Sequence, residues 1–240
     1  ILQLSDLHVK PRGTRAYNVA DTASTLERTL GHVLRLVPAP DVAIVTGDIA
    51  DDGDPEGYRA AREMLAALPC PALLIPGNHD HKDRLAEAFP EHAYLSKRIR
   101  GTHAEYICYT VEEFPIRLIG LDTVHPGFHG GGLGRMRLSW LDETLGRHRN
   151  TPTLVFMHHP PFASGIGHMD LEPFLHAREL ERVISAHPQV ERIVCGHLHR
   201  PVTRPFGGTT ACVAPAVGMQ VLLDLTPDAP SQFKIGRAHV

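Results

Sequence analysis

Five short apolar runs in this chain end alike, each delivering Asp, Asn or His into the turn that follows. Ile1–Leu4 leads into Ser5-Asp6-Leu7-His8, Val42–Thr46 into Gly47-Asp48, and Ala72–Ile75 into Pro76-Gly77-Asn78-His79-Asp80. Leu154–Met157 leads into His158-His159-Pro160-Pro161, and Ile193–Cys195 into Gly196-His197-Leu198-His199. Short β-branched runs bounded by turn residues predict buried strands. In an open α/β sheet the loops at the carboxyl ends of the strands surround one crevice, so the fold must bring these five together.

Longer segments with helical spacing separate the runs. Ala23–Val37 repeats Leu26, Leu30, Val33, Leu34 and Val37, and Pro55–Leu68 opens with proline at a first helical position. Leu138–His148 and Pro173–His187 are further helix candidates, and Leu118–Leu121 is a further strand. This alternation predicts βαβ units and a mainly parallel sheet. Toward the C-terminus the pattern changes. Val202–Phe206, Thr209–Val213, Val221–Leu225 and Gln232–Ile235 are short strands with Gly-Gly or Pro/Asp turns between them, predicting a second sheet of largely antiparallel hairpins packed on the first. The fold class is α/β. No repeat, low-complexity tract or linker divides the chain, so residues 1–240 read as one domain.

Composition narrows the partners. A formal charge of −3 without a Lys or Arg run argues against nucleic acid. No apolar stretch approaches the roughly 18 residues of a membrane span, so no membrane partner is expected. Four cysteines without a C-x-x-C pair predict reduced thiols and a cytoplasmic location. The chain opens inside a strand-like run, which suggests a trimmed N-terminus, and it reads without a secretory leader. Histidine is in excess at 17 residues, many beside Asp, Asn or Gly at the ends of apolar runs.

Taken singly, each loop has an ordinary explanation as a cap or turn. Together, in this order and each at a strand end, they deliver carboxylate oxygen, amide oxygen and imidazole nitrogen to one crevice. That donor set suits borderline and hard metal ions.

Asp6-x-His8, Gly47-Asp48, Gly77-Asn78-His79-Asp80, His158 and Gly196-His197-x-His199 resemble, in order, the motif set of the calcineurin-like metallophosphoesterases. Within that superfamily the chain most resembles bacterial class III cyclic nucleotide phosphodiesterases and the related glycerophosphodiesterases. The Tyr17-to-Thr22 stretch, His158-His159-Pro160-Pro161, Met169-Asp170, and Pro215 with Gln220 add to the likeness. The resemblance implies a four-layer α-β-β-α sandwich, a double β-sheet flanked by helices. It implies two divalent or trivalent metal ions (Fe, Mn, Zn or Co). Asp6, His8 and His199 would hold one, and Asn78, His158 and His197 the other. Asp48 would lie between them as a shared anion that lowers their repulsion. The implied reaction is hydrolysis of a small phosphodiester, a 3′,5′-cyclic nucleotide or glycerophosphodiester, by a metal-bound hydroxide. His79 would stand at the leaving group as acid or clamp, with Asp51 orienting it through its other ring nitrogen.

Two alternatives stand beside this reading, a phosphomonoesterase and a non-catalytic scaffold. Related protein phosphatases carry an Arg shortly after the position of Asp48, where this chain has Ile49-Ala50-Asp51-Asp52-Gly53. A monoanionic diester needs less positive charge, which favours diesters, although Arg200 could supply a cation. No ligand position is replaced, which argues against the scaffold. His159 is expected to support structure, and His32, His148, His176 and His187 to lie at helix ends or on the surface. Trp140 is expected in the core. His125 and His129, in the Gly-rich loop, read as loop residues, with a mobile wall of the substrate pocket as the functional alternative. His168 has a substrate contact as its alternative. A homo-oligomer is left open.

Overall fold

The computed structural model describes residues 1–101, 104–226 and 228–234. Asp21 caps the first helix by accepting the Ser24 N–H at 3.1 Å, and the apolar residues Leu26, Leu30 and Val33 turn inward along one face. In chain order the N-terminal half runs β1 (Leu2–Leu4), α1 (Thr22–Val33), β2 (Ala43–Thr46), α2 (Pro55–Leu65), β3 (Ala72–Ile75) and α3 (Lys82–Ala88). The three strands pair in parallel in the order β1-β2-β3. The first helix stops before the expected Val37. Leu34, Leu36 and Val37 are exposed, and Pro38 disfavours helical backbone in the residue before it.

The rest of the chain adds β4 (Ile99–Arg100), β5 (Glu105–Tyr106), β6 (Cys108–Val111), β7 (Arg117–Leu121), α4 (Arg135–Gly146), β8 (Thr153–Met157), α5 (Ala177–Ser185) and β9 (Val190–Cys195). It ends with β10 (Val202–Phe206), β11 (Thr209–Val213), β12 (Gln220–Val221) and β13 (Phe233–Lys234). The expected α/β class with two sheets is present, but the strands divide differently. β7, β8 and β9 do not extend the first sheet. They join the β10–β11 hairpin and β6 in a six-stranded mixed sheet of order β10-β11-β9-β8-β7-β6. A run buried on both faces looks the same whichever sheet it enters, so the apolar pattern carries no partition. The expected Val221–Leu225 strand shortens to β12, paired antiparallel with β13, and Ile235 lies outside the described residues. α5 begins later than expected because Leu175 is bound into the Gly-rich loop, its N–H donating to the Gly131 carbonyl at 2.8 Å.

The two sheets meet through β2 and β3 against β8 and β7, with α1–α3 grouped on one side and α4–α5 on the other. Their apolar faces share one core that runs from Leu4 and Ile44 to Phe156 and Ile193. Polar seams lock them in register. Gln3 Nε2 donates to the Cys195 carbonyl at 2.8 Å, and Tyr109 Oη donates to the Leu74 carbonyl at 2.8 Å. The carboxyl ends of β1, β2, β3, β8 and β9 therefore open on one edge of the sandwich.

Candidate metal centre

Backbone strain marks this edge. Asp6, His8, Asp48, His197 and His199 adopt positive φ of 51°, 43°, 51°, 71° and 55°. That region costs a non-glycine residue about 1–2 kcal/mol, and such residues gather where a site needs them. The glycines in the motifs answer a lack of room. A Cβ on Gly77 would strike the Asp48 carboxylate, and one on Gly47 would lie 2.6 Å from His158 Nδ1.

Two groups of donors converge. Asp6, His8, Asp48 and His199 each offer an atom within 4.8 Å of the others. His8 Nε2 lies 3.2 Å from His199 Nε2 and 3.5 Å from Asp48 Oδ2, and His199 Nε2 lies 3.5 Å from Asp6 Oδ1. Beside them, Asn78 Oδ1 stands 3.0 Å from His158 Nε2 and 3.1 Å from His197 Nδ1. Asp48 Oδ2 joins the groups, being 3.3 Å from His158 Nε2 as well as close to His8. All seven residues expected from the sequence thus reach one place.

The hydrogen bonds behind these residues test whether a cation fits. His158 Nδ1 donates to the Thr46 carbonyl at 2.7 Å, and His199 Nδ1 donates to the Met219 carbonyl at 2.9 Å. A carbonyl only accepts, so those nitrogens carry the protons and each neutral ring turns its Nε2 lone pair inward. The inward lone pairs face carboxylate and amide oxygens, which are acceptors too. A metal ion resolves that conflict, and a backbone-pinned outer nitrogen is the usual setting of a metal-bound histidine. The carboxylates are held likewise. Asp6 Oδ1 accepts the His197 N–H at 2.9 Å, and Asp48 Oδ1 accepts the His79 N–H at 2.9 Å. Without a cation a proton is the remaining remedy. Burial opposes charge on His158, but the Asp48 carboxylate beside it outweighs burial and pushes the imidazole up to about 9. Burial would raise Asp48, but the His158 and His8 charges hold it well below the usual carboxylate range.

His79 stands at the rim, with Nε2 3.1 Å from the Tyr17 hydroxyl. Asp51 Oδ1 is 3.7 Å from His79 Nδ1 and 3.4 Å from His8 Nδ1, while its other oxygen is 3.2 Å from Lys10 Nζ. The carboxylate is thus nearer to His8 than to the histidine it was expected to orient. Burial and the surrounding carboxylates raise the Tyr17 phenol above its ordinary value, so it stays protonated.

Three features escaped the sequence reading. Tyr17 has no signal beyond its place in a recognisable stretch. Asp80 ends the Gly-Asn-His-Asp motif and braces it, accepting the Gly77 N–H at 2.8 Å, the Tyr58 hydroxyl at 3.0 Å and the Ile49 N–H at 3.1 Å. The third is how the Gly-rich loop, whose functional alternative is a mobile wall, is tied down. Gly132 N–H donates to the Thr123 carbonyl at 2.9 Å, and Gly130 N–H donates to Glu172 Oε2 at 3.2 Å. His159 stands within donor reach of His158 and His197. Both its nitrogens are engaged by protein groups, Nδ1 accepting from the Thr123 hydroxyl at 2.9 Å and Nε2 donating to the His129 carbonyl at 3.1 Å.

A cleft of about 460 Å³ opens over Asp48, Asn78 and His79, walled by Tyr17, Phe233 and Met169. The family model described as Calcineurin-like phosphoesterase matches residues 1–201. The chain belongs to the calcineurin-like phosphoesterase family. Among its relatives in that family is the probable glycerophosphodiester phosphodiesterase GpdQ of Arcobacter nitrofigilis, 37% identical, with 97% of this chain and 84% of the relative covered. A probable cyclic nucleotide phosphodiesterase of Synechococcus is 31% identical, with 92% of this chain and 81% of the relative covered. In fold, this calcineurin-like chain is similar to a dimetal phosphatase from Danio rerio. The TM-score is 0.67 at 14% identity, with 92% of this chain and 91% of the other covered.

Proposed function

We propose that this chain is a metal-dependent phosphodiesterase acting on small diesters, glycerophosphodiesters or 3′,5′-cyclic nucleotides. The charge of the cleft carries the reading. Among the described residues no Lys or Arg lines it. Arg200, the cation that could have supplied a monoester clamp, instead donates from Nη1 to the Val221 carbonyl at 2.8 Å. A monoester carries a second negative charge that such a cleft leaves to the metals alone, whereas a diester carries one. The names of the relatives point the same way.

In this reading Asp6, His8 and His199 would hold one ion, and Asn78, His158 and His197 the other. Asp48, close to both His8 and His158, would serve both. Bound there, the metal ions supply Lewis acidity toward the phosphoryl oxygens and a nucleophile at neutral pH. The donor set suits Fe, Mn, Zn or Co. Thr46 and Met219 carbonyls fix the ring tautomers, and the His79 and His197 amides fix the carboxylates. His79 stands outside the ligand groups, where it donates a hydrogen bond or proton to the departing oxygen. The Tyr17 hydroxyl and Asp51 limit its rotation.

No helix among the described residues is long and apolar enough to cross a membrane. Free, widely spaced cysteines are the ground on which we read a cytoplasmic enzyme, and we read residues 1–240 as one domain. A substrate panel on metal-reconstituted protein tests the function. Turnover of glycerophosphocholine or cyclic AMP is expected, and activity confined to phosphomonoesters would replace this reading with the phosphomonoesterase.

A further inference from the structure

His129 lines the cleft beside His79, and with His168 it is an imidazole there that neither ligand group accounts for. Its ring centroid lies 5.0 Å from that of His197 and 6.4 Å from that of His79. It borders the cleft over Asp48 and also a second cavity of about 710 Å³ that holds Lys82, Arg98 and His125. Asn78, His79 and His129 are common to both spaces. A group seated on Asn78 and His79 would therefore lie against His129, whichever way its substituents ran.

The backbone at His129 is held from two directions. Its carbonyl accepts from the buried His159, whose other nitrogen is tied to Thr123, and its N–H donates to Glu172. The glycines that follow exist to let those partners in. A Cβ on Gly130 would strike the Glu172 carbonyl, one on Gly131 would strike the His159 side chain, and one on Gly132 would lie 2.7 Å from Leu175 Cβ. Among the described residues nothing hydrogen-bonds the His129 ring itself. A side chain whose main chain is clamped and whose ring is unengaged, facing two histidines across a cleft, is pre-organised for a ligand.

We propose that His129 contacts the phosphoryl group of the substrate, as a second imidazole beside His79. The role adds a hydrogen-bond donor to a cleft without Lys or Arg. His159 and Glu172 act as positioning residues for it, which gives His159 a purpose beside a ligand it does not join. The inference takes its substrate from the phosphodiesterase reading above, but its test does not require turnover.

Inorganic phosphate is titrated by calorimetry into metal-loaded wild type and His129→Ala, with metal content measured on both. The exposed ring can be removed without disturbing the core. Loss of one hydrogen bond to an anion is expected to weaken phosphate binding about five- to tenfold at unchanged metal content. His129→Gln, which keeps a donor, is expected to recover part of that loss. An equal Kd for wild type and His129→Ala, or no phosphate binding by wild type, overturns the inference. A separate assay of bis(p-nitrophenyl) phosphate turnover reports on the phosphodiesterase reading, and its failure would leave the phosphate comparison valid.

Discussion

Asp51 Oδ1 lies 3.4 Å from His8 Nδ1, closer than the 3.7 Å that separates it from His79 Nδ1. His8 turns its other nitrogen toward Asp48 and His199, so Asp51 backs a ligand candidate as well as the rim histidine. Burial would raise the Asp51 carboxyl, but His8 and Lys10 outweigh burial and hold it below the usual range. Outer partners of metal-bound histidines contribute roughly 10- to 100-fold in metal affinity. Asp51→Asn should therefore weaken metal binding by about tenfold, measured by competition with a chromogenic chelator. Unchanged metal affinity with reduced kcat would return Asp51 to orienting His79 alone.

The shared position of Asp48 sets it apart from the other candidates. Asp48→Ala should lower occupancy at both sites and reduce turnover by roughly a hundredfold or more. Asn78→Ala, whose oxygen faces only His158 and His197, should mainly weaken one site. Metal analysis of the two purified variants checks this. Two metals retained in Asp48→Ala would remove it from between the groups.

Stability should respond to pH differently with and without metal. In metal-free protein His158 is raised from 6.5 to about 9 by the Asp48 carboxylate, against the opposing effect of burial. A group raised in the folded state stabilises it fully below its ordinary value and less as pH climbs through the folded value. The Tm of chelator-treated protein should thus fall between pH 6.5 and about 9. Metal-loaded protein, with His158 neutral in both states, should lack this component. Thermal scans with and without EDTA should show a gap that widens with pH, and a constant gap would contradict it.

Asp80 should matter for stability before chemistry. Asp80→Ala leaves the Gly77 and Ile49 amides and the Tyr58 hydroxyl without their acceptor. The expected cost is about 3 kcal/mol, or a Tm drop of roughly 6–12 °C. Asp80→Asn, which keeps one acceptor oxygen, should lose less. An unchanged melting curve for Asp80→Ala would show that the loop stands without this brace.

The site was more legible than the fold around it. Asp6, Asp48, Asn78, His158 and His197 each lie no more than three residues past the end of an apolar run, so the pattern that marks the strands also marks the donors. The sheet partition was hidden because Leu118–Leu121 and Ala72–Ile75 are equally apolar and differ only in their partners. β4 and β5 were missed because two-residue strands have no period to detect. The partner of Asp51 and the clamp on His129 were invisible for another reason. Both depend on where Lys10, Glu172 and His159 arrive from distant parts of the chain, to within tenths of an ångström.

With two metal ions at this edge, the protein should hydrolyse a diester in preference to a monoester. The most direct test is kcat/KM for bis(p-nitrophenyl) phosphate and p-nitrophenyl phosphate, followed as metal is titrated into chelator-stripped protein. Activity should rise to a plateau near two metals per chain, with the diester preferred throughout. A plateau reached without metal, or a clear preference for the monoester at full loading, would rule out a two-metal diesterase.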